Sequence, residues 1–344
     1  MKNPSKFFIA GVITLFLISG TSYAYKHELE KGLDFPNAEY MMKIGMATPP
    51  SLAGFRGIFD FEEEVEGRSG GRIDVKIFHS GSMGGNAEVL NKCQTGVLQG
   101  AFNGAPVTAN LAKPVHNILN FPFLFFDYED AKKFLKSDLV NPVYDSLSHA
   151  NLKILGICSF GKIDFLTRKP VNSIVDLKGM KMRCNPGKWG VIPAKAIGIE
   201  ASPIPFPEVY TQLKQGILDG IINSPDVITL GKWEELCKYY TKVGFYHGYL
   251  VFVANQKWVE KLPQDLKTIV LDAGRRMTWE QMERAEFRYL QLLNKFRNNG
   301  VEITEMKSTE IDKMKEMWRD YKDKFVDQIG KDYYEKVEKL IDNN

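Results

Sequence analysis

The chain has 344 residues, of which 44% are hydrophobic, and its 45 basic and 42 acidic side chains leave a formal net charge of +3. A chain of this length is large enough for two domains, each with its own core. The near-neutral balance argues against nucleic acid or an anionic membrane surface as a partner.

The N-terminus has the pattern of an export signal. Lys2 and Lys6 precede an apolar run over Phe7–Ile18, and Ser22–Ala24 supplies small residues for cleavage. The apolar run is shorter than the roughly 20 residues that a membrane-spanning helix needs. We therefore predict a signal peptide over residues 1–24, cleaved after about Ala24, and a mature protein in the periplasm. An uncleaved N-terminal anchor is the alternative.

After residue 24, segments typical of strands alternate with segments typical of helices. The predicted strands are Tyr40–Met46, Arg72–Phe78, Leu98–Gly104, Leu152–Phe160, Met180–Arg183, a strand ending at Asn223, Leu250–Asn255 and Val301–Met306. The predicted helices are Phe55–Val65, Asn86–Thr95, Asp127–Leu135, Pro263–Asn298 and the charged amphipathic segment Ser308–Asn344. This alternation indicates an α/β fold with mostly parallel sheets. The helix from Pro263 would extend over about 50 Å.

Metal and nucleotide chemistry are not supported by the motifs. The cysteines Cys93, Cys158, Cys184 and Cys237 form no CxxC pair, and the histidines share no ligand spacing. Isolated cysteines in apolar segments are more often small buried residues, although an exported protein allows a disulfide. The glycine-rich turn Ser80–Gly85 has neither the GxxxxGK[ST] nor the GxGxxG pattern. We predict no metal and no cofactor.

The segment Asn172–Pro225 carries the candidate site. A strand ends at Arg183, a helix-like run and a proline-rich loop with Phe206 follow, and a second strand ends at Asn223. Strand ends of an open α/β sheet meet at a crevice where ligands bind. There Arg183 would supply a positive fork for an anion, Asn223 a neutral donor and acceptor, and Phe206 an apolar wall.

Several segments resemble the periplasmic solute-binding proteins of TRAP transporters (the DctP-like family). They are DLKGMKMR…PFPEVYTQLKQGILDGIINSP, SGSMGGNAEVLNKCQTGVLQGAF, FPFLF and VANQKWVEKLPQDLKTIVLDA, within a resemblance that covers roughly residues 40–335. The resemblance implies a two-lobe Venus-flytrap fold with a long helix spanning both lobes. Lobe 1 would comprise residues 25–160 and 249–288, and lobe 2 residues 161–248 and 289–344.

The same resemblance assigns roles to single residues. It implies that Arg183 pairs with a substrate carboxylate, that Asn223 contacts the same carboxylate and that Phe206 packs over the substrate. Trp189 and Tyr210 are weaker candidates on the same wall. Without the resemblance, Arg183 reads as a surface or salt-bridge residue, Asn223 as a turn residue and the aromatic residues as core.

Two positions depart from the family pattern. Ile163 stands where many members carry a second arginine, and Lys162 is a neighbouring substitute for its charge. Gly104 stands where sialic acid binders carry an acidic residue. These departures favour a small monoanion such as a hydroxy, keto or aromatic acid. A short sulfonate or a C4-dicarboxylate is the alternative.

The sequence therefore predicts a monomeric receptor that delivers an organic anion to the small and large integral subunits of a TRAP permease. A secreted α/β enzyme is the rival interpretation, but no GxSxG motif or nucleophile–base constellation is present. A ligand-sensing domain for a signalling partner is a further alternative that the binding residues do not distinguish.

Overall fold

A mixed β-sheet runs through the centre of the structure. The computed structural model describes residues 35–49 and 53–342, so the predicted signal peptide lies outside the described residues. The described strands join in the order β2-β1-β3-β8-β4-β7-β5-β6, and β9 pairs with β8. Their bounds are β1 Tyr40–Met46, β2 Ile73–Phe78, β3 Gly100–Gly104, β4 Leu152–Thr167, β5 Lys181–Cys184, β6 Glu200–Pro203, β7 Gly220–Asn223, β8 Tyr239–Asn255 and β9 Glu302–Glu305.

Helices cover both faces of this sheet. They are α1 Ala53–Ser69, α2 Asn86–Thr95, α3 Ala105–Thr108, α4 Tyr128–Lys136, α5 Asn141–Tyr144, α6 Ile174–Leu177, α7 Lys188–Ala196, α8 Phe206–Lys214, α9 Pro225–Leu230, α10 Gln256–Lys261, α11 Gln264–Asn298, α12 Ser308–Ile329 and α13 Lys331–Asp342. Short 3-10 turns occupy Pro114–Asn120, Asp138–Val140, Ser148–Ala150 and Trp233–Glu235.

Two long antiparallel strands, β4 and β8, cross the whole sheet. The sequence predicted a strand that stops at Phe160 and another that starts at Leu250. Both predictions were too short, because β4 continues to Thr167 and β8 begins at Tyr239. These extra residues are buried on both faces, so they lack the alternation that marks a half-exposed strand.

The crossing of β4 and β8 depends on paired glycines. Gly161 lies opposite Gly248, and Gly161 has a φ of +103°, which favours glycine. The Phe160 ring lies so close to Gly248 that a Cβ there would come within 2.6 Å of it. Most of the described strand pairings are parallel, as the sequence predicted. The antiparallel pairs are β8 with β3 and β4, and β4 with β7, and β8 joins the two halves into one sheet.

The long helix α11 spans 35 residues, as the sequence predicted. Its N-terminal half packs against β4 and α1, where Thr278 Oγ1 accepts from the Ile157 amide at 3.1 Å. Near the middle of α11, Arg284 forms an ion pair with Asp60 of α1. Further along, the Tyr289 hydroxyl donates to Asp164 of β4 at 3.0 Å. The helix thus contacts strands and helices from both halves of the sheet.

Other predicted elements are close to the observed ones. The strand Tyr40–Met46 and the helix Asn86–Thr95 have the predicted bounds. The C-terminal helical segment is broken at Gly330, whose φ is +104°. The cysteines Cys93, Cys158, Cys184 and Cys237 are all buried and free, in agreement with their reading as small core residues.

Candidate ligand-binding site

Arg183 lies at the end of the short strand β5 and is 3% exposed. Its Nε donates to the Ile204 carbonyl at 2.9 Å, and its Nη1 donates to Asn185 Oδ1 at 2.7 Å. Its guanidinium carbon is 5.8 Å from the centre of the Trp233 ring. The described residues supply no hydrogen-bond partner for Nη2, so one edge of the fork is left for another acceptor.

The charge of Arg183 has no counter-ion in the described part of the chain. Among the described residues, no carboxylate lies within 4.0 Å of this guanidinium. Burial lowers the pKa of Arg183 to about 10, because the charged form has lost most of its water. A buried cation without a counter-ion is unfavourable, and an anionic ligand would remove that cost. The expectation of a surface or salt-bridge arginine therefore does not describe Arg183.

An aromatic wall lies beside this fork. The Phe206 ring is 5.2 Å from the Trp233 ring at an interplanar angle of 46°. The sequence predicted a loop position for Phe206, and this prediction is wrong. The proline-rich segment ends at Pro205, and the helix α8 begins at Phe206. Trp233 is pressed against Gly231, where a Cβ would lie 2.2 Å from the indole. The backbone at Gly231 therefore restricts the position of the indole, which lies near both Phe206 and Arg183.

Asn223 ends β7 on the same face of the sheet as Arg183. Arg183 lies opposite Ile221 of β7, and Asn223 follows two residues later. Asn223 is 2% exposed, and its Oδ1 accepts from the Ser224 amide at 2.9 Å. No partner for its Nδ2 is present in the described part of the chain. The structure thus brings Arg183, Phe206 and Asn223 to one edge of the sheet.

Asp164 stands opposite Asn223 in the antiparallel register of β4 and β7. Its carboxylate accepts from the Tyr240 hydroxyl at 2.6 Å, the Tyr289 hydroxyl at 3.0 Å and the amides of Val243 and Gly244, each at 2.8 Å. Burial, and after it the proximity of this carboxylate, raises the pKa of both tyrosines. Asp164 is therefore fully engaged in tying α11 to the sheet, and it is not a partner for Arg183.

Ile163 and Lys162 lie away from the Arg183 fork. Ile163 is 0% exposed and packs with Phe165 and Met182, which face the opposite side of the sheet from Arg183. The Lys162 ammonium lies 5.5 Å from the centre of the Phe126 ring. The structure gives no contact between Lys162 and Arg183.

The remaining two predicted residues have other partners. The Trp189 ring packs 4.5 Å from the Phe325 ring of α12, and its buried indole N–H has no hydrogen-bond partner within the described ranges. The Tyr210 hydroxyl donates to Glu235 at 3.3 Å at the surface. Trp189 thus agrees with its alternative as a core residue, whereas Tyr210 is half-buried and has its hydroxyl at the surface.

Sequence reasoning missed Trp233 and Asn185. Trp233 sits in a one-turn 3-10 helix and carries no periodic signal. Asn185 comes directly after the end of β5 and two residues after Arg183. This closeness in sequence to the predicted fork could have identified it as a site residue.

A second depression lies elsewhere on the surface. A groove of about 560 Å³ between α4 and α11 is lined by Lys136, Arg275 and Trp279 together with other side chains. Its cations already contact aromatic rings, since Lys136 lies 5.7 Å from the Trp279 ring centre and Arg275 lies 5.2 Å from that of Tyr144. The unmatched, buried Arg183 is the better candidate for binding an anion.

Within the described ranges, no cluster of histidine, cysteine or acidic side chains is arranged to hold a metal ion. In the same part of the chain, no helix combines the length and apolarity needed to cross a bilayer.

Comparisons with family models, with curated proteins and with solved structures all point to one family. Residues 44–328 match the bacterial extracellular solute-binding protein family 7. The chain is 24% identical over 267 residues to the 2,3-diketo-L-gulonate-binding periplasmic protein of Escherichia coli, which covers 77% of this chain and 81% of that protein. It is 26% identical over 229 residues to the C4-dicarboxylate-binding periplasmic protein of Rhodobacter capsulatus, with 66% and 68% covered.

A solved structure has the same fold. The sugar acid binding protein of Advenella mimigardefordensis, crystallised with galactonate, superimposes with a TM-score of 0.81 at 24% identity, covering 88% of this chain and 97% of that chain. Structures of this kind are two-lobe receptors, which confirms the predicted fold class. The chain therefore belongs to bacterial extracellular solute-binding protein family 7, whose members are solute receptors for organic acids that work with TRAP membrane components.

Proposed function

We propose that this protein captures a small organic anion with a single carboxylate and delivers it to the small and large integral subunits of a TRAP permease. The observation that carries the proposal is Arg183, a guanidinium that is 3% exposed and has no carboxylate partner among the described residues. A ligand carboxylate would form two parallel charge-assisted hydrogen bonds with such a fork.

The ligand contacts that we propose follow from the same edge of the sheet. Arg183 binds the carboxylate, Asn223 donates to it from Nδ2, and Phe206 covers the body of the ligand. Trp189, Tyr210 and Lys162 are proposed as secondary contacts. Each of these three already has a partner in the structure, so each would have to exchange a contact to reach the ligand.

A single negative charge fits the cations at this site. The position of the second family arginine holds Ile163, whose side chain is buried in an apolar cluster. The relatives that bind 2,3-diketo-L-gulonate and galactonate favour a hydroxylated or keto monocarboxylate. The C4-dicarboxylate-binding relative supports the alternative, in which Lys162 meets a second carboxylate. A short sulfonate is a further alternative, because it presents the same single charge.

Closure of two lobes is the proposed mechanism. We assign residues 25–160 and 249–288 to lobe 1, and residues 161–248 and 289–344 to lobe 2. The strands β4 and β8 and the helix α11 then form the connections on which the lobes rotate. A ligand held by both lobes only in the closed form shifts the population toward that form.

The place of action that we propose is the periplasm. Residues 1–24 would direct export and be removed, and the mature receptor would act as a monomer without a cofactor. Cell fractionation with N-terminal sequencing of the exported protein tests this. Recovery in the membrane fraction with residues 1–24 intact would contradict it.

A thermal-shift screen tests the ligand class with matched compounds. D-galactonate, galactarate and galactose share one carbon skeleton and carry one, two and no carboxylates. Lactate, succinate, indole-3-acetate and isethionate extend the panel. A ligand at 100 times its Kd stabilises the native state by about 2.7 kcal/mol. We expect shifts from monocarboxylates. Shifts from neutral compounds alone would contradict the proposal, and shifts from dicarboxylates alone would favour the Lys162 alternative.

A further inference from the structure

The Arg183 fork is supported entirely by groups without charge. Its Nε donates to a backbone carbonyl, its Nη1 to the side-chain amide of Asn185, and its flat face lies near the Trp233 ring. Buried arginines are usually held by carboxylates, which orient the guanidinium and cancel its charge together. Here neutral groups orient the guanidinium of Arg183, and none of them neutralises its charge.

Asn185 is well placed to act as a neutral substitute for a carboxylate. Its Oδ1 accepts from Arg183 at 2.7 Å, a short distance for a hydrogen bond from a charged donor. Asn185 stands two residues after Arg183, directly after the end of β5, so the chain itself places its amide beside the guanidinium. An aspartate has the same size and would accept in the same way, but it would form an ion pair with Arg183 and compete with an incoming anion.

Trp233 supports the fork from another direction. It is 1% exposed, it is held against Gly231, and its ring packs with that of Phe206. An aromatic face attracts a guanidinium through its quadrupole and carries no net charge. Trp233 therefore stabilises the cation and leaves its full charge available.

We propose that Asn185 and Trp233 are positioning residues that hold Arg183 oriented and electrostatically uncancelled, so that the bound anion is the counter-ion missing from the protein. The inference rests on the proposed function for the identity of that anion. It adds that the affinity depends on the absence of a negative charge at position 185. A carboxylate at this position makes the unliganded protein more stable and makes it bind the anion more weakly.

The first test uses the ligand-free protein and a double-mutant cycle. We expect Asn185→Asp to raise the melting temperature by about 2 °C, because it supplies a counter-ion to a buried cation. In an Arg183→Gln background the same change should lower the melting temperature, since the new carboxylate would lack a cation. A decrease of the same size in both backgrounds would overturn the inference.

The second test measures binding of D-galactonate by calorimetry. We expect Asn185→Asp to weaken binding at least about 30-fold. Asn294→Asp is the matched control, because Asn294 also accepts from an arginine Nη1, at 2.9 Å on the exposed face of α11. Its affinity should stay within about twofold of the original protein.

The two tests separate the inference from the proposed function. Unchanged galactonate binding in Asn185→Asp would overturn the inference while the proposed function stands. The sign reversal in the melting temperatures without binding of any acid in the panel would support the neutral support of Arg183 and contradict the proposed function.

Discussion

Replacing Arg183 with glutamine separates the contribution of its charge to binding from its contribution to stability. Glutamine keeps a polar end and removes the positive charge. Burial lowers the pKa of Arg183 to about 10, which corresponds to a destabilisation of the charged form on the order of 3 kcal/mol, since one pKa unit is about 1.4 kcal/mol. Two neutral hydrogen bonds at about 1 kcal/mol each, together with the Trp233 contact, offset a similar amount.

These opposing contributions lead to an unusual expectation for a buried side chain. We expect Arg183→Gln to change the free energy of unfolding of the ligand-free protein by less than about 2 kcal/mol in either direction, measured by urea denaturation. In contrast, carboxylate binding should weaken by about 2 to 5 kcal/mol, because the buried charged contact is lost. Isothermal titration with the strongest acid from the screen measures this second quantity.

Arg168→Gln is the matched control. The Arg168 Nε donates to a backbone carbonyl, that of Leu218, at 3.1 Å, and Arg168 lies away from the end of β5. Its replacement should leave the affinity unchanged. If Arg183→Gln weakened binding by less than about 1 kcal/mol, or by no more than Arg168→Gln, the site would have been placed wrongly.

Buried side chains away from the Arg183 fork have measurable effects on stability. Ile163→Arg should destabilise the protein by several kcal/mol and not create a dicarboxylate site, because the side chain enters an apolar cluster; galactarate binding by a stable variant would contradict this. Asp164→Asn should lower the free energy of unfolding by about 2 to 4 kcal/mol, since four donors lose a charged acceptor; urea denaturation checks it. Burial lowers the pKa of His116 to about 4, so its contribution to stability is full above its unfolded value of 6.5 and is lost as the pH falls toward 4. The free energy of unfolding of His116→Gln is therefore expected to approach that of the original protein by about 2 kcal/mol between pH 8 and pH 5. A difference that stays constant with pH would refute the assignment. Glu66, whose pKa burial raises to about 7, gives stability the opposite pH dependence, but it is present in both proteins and cancels in this difference.

Local patterns predicted many elements of the fold well. The alternation in Tyr40–Met46 and the glycine-rich turn that precedes Asn86 gave bounds that agree with the structure, because a half-buried strand and the start of a helix each have a local signature. The long helix from Gln264 was predicted for the same reason.

The sequence was weakest where tertiary packing overrides local signals. The first half of β8, beginning at Tyr239, has no alternation because neighbours cover both of its faces. Similarly, nothing local distinguishes Trp233 from any other core aromatic residue, and its role depends on contacts with Arg183 and Phe206, from distant parts of the chain. The prediction of a second positive charge near Arg183 from Lys162 is unsupported by any contact, and its role at the site stays a prediction.

The most direct measurement compares the strongest-binding acid with its own carboxamide by isothermal titration. The two compounds have the same size and hydrogen-bonding body, and they differ in the charge that Arg183 would meet. We expect the carboxamide to bind at least about 30-fold more weakly, equivalent to about 2 kcal/mol. Equal affinity for the acid and the carboxamide would contradict the central claim that Arg183 selects an anionic ligand.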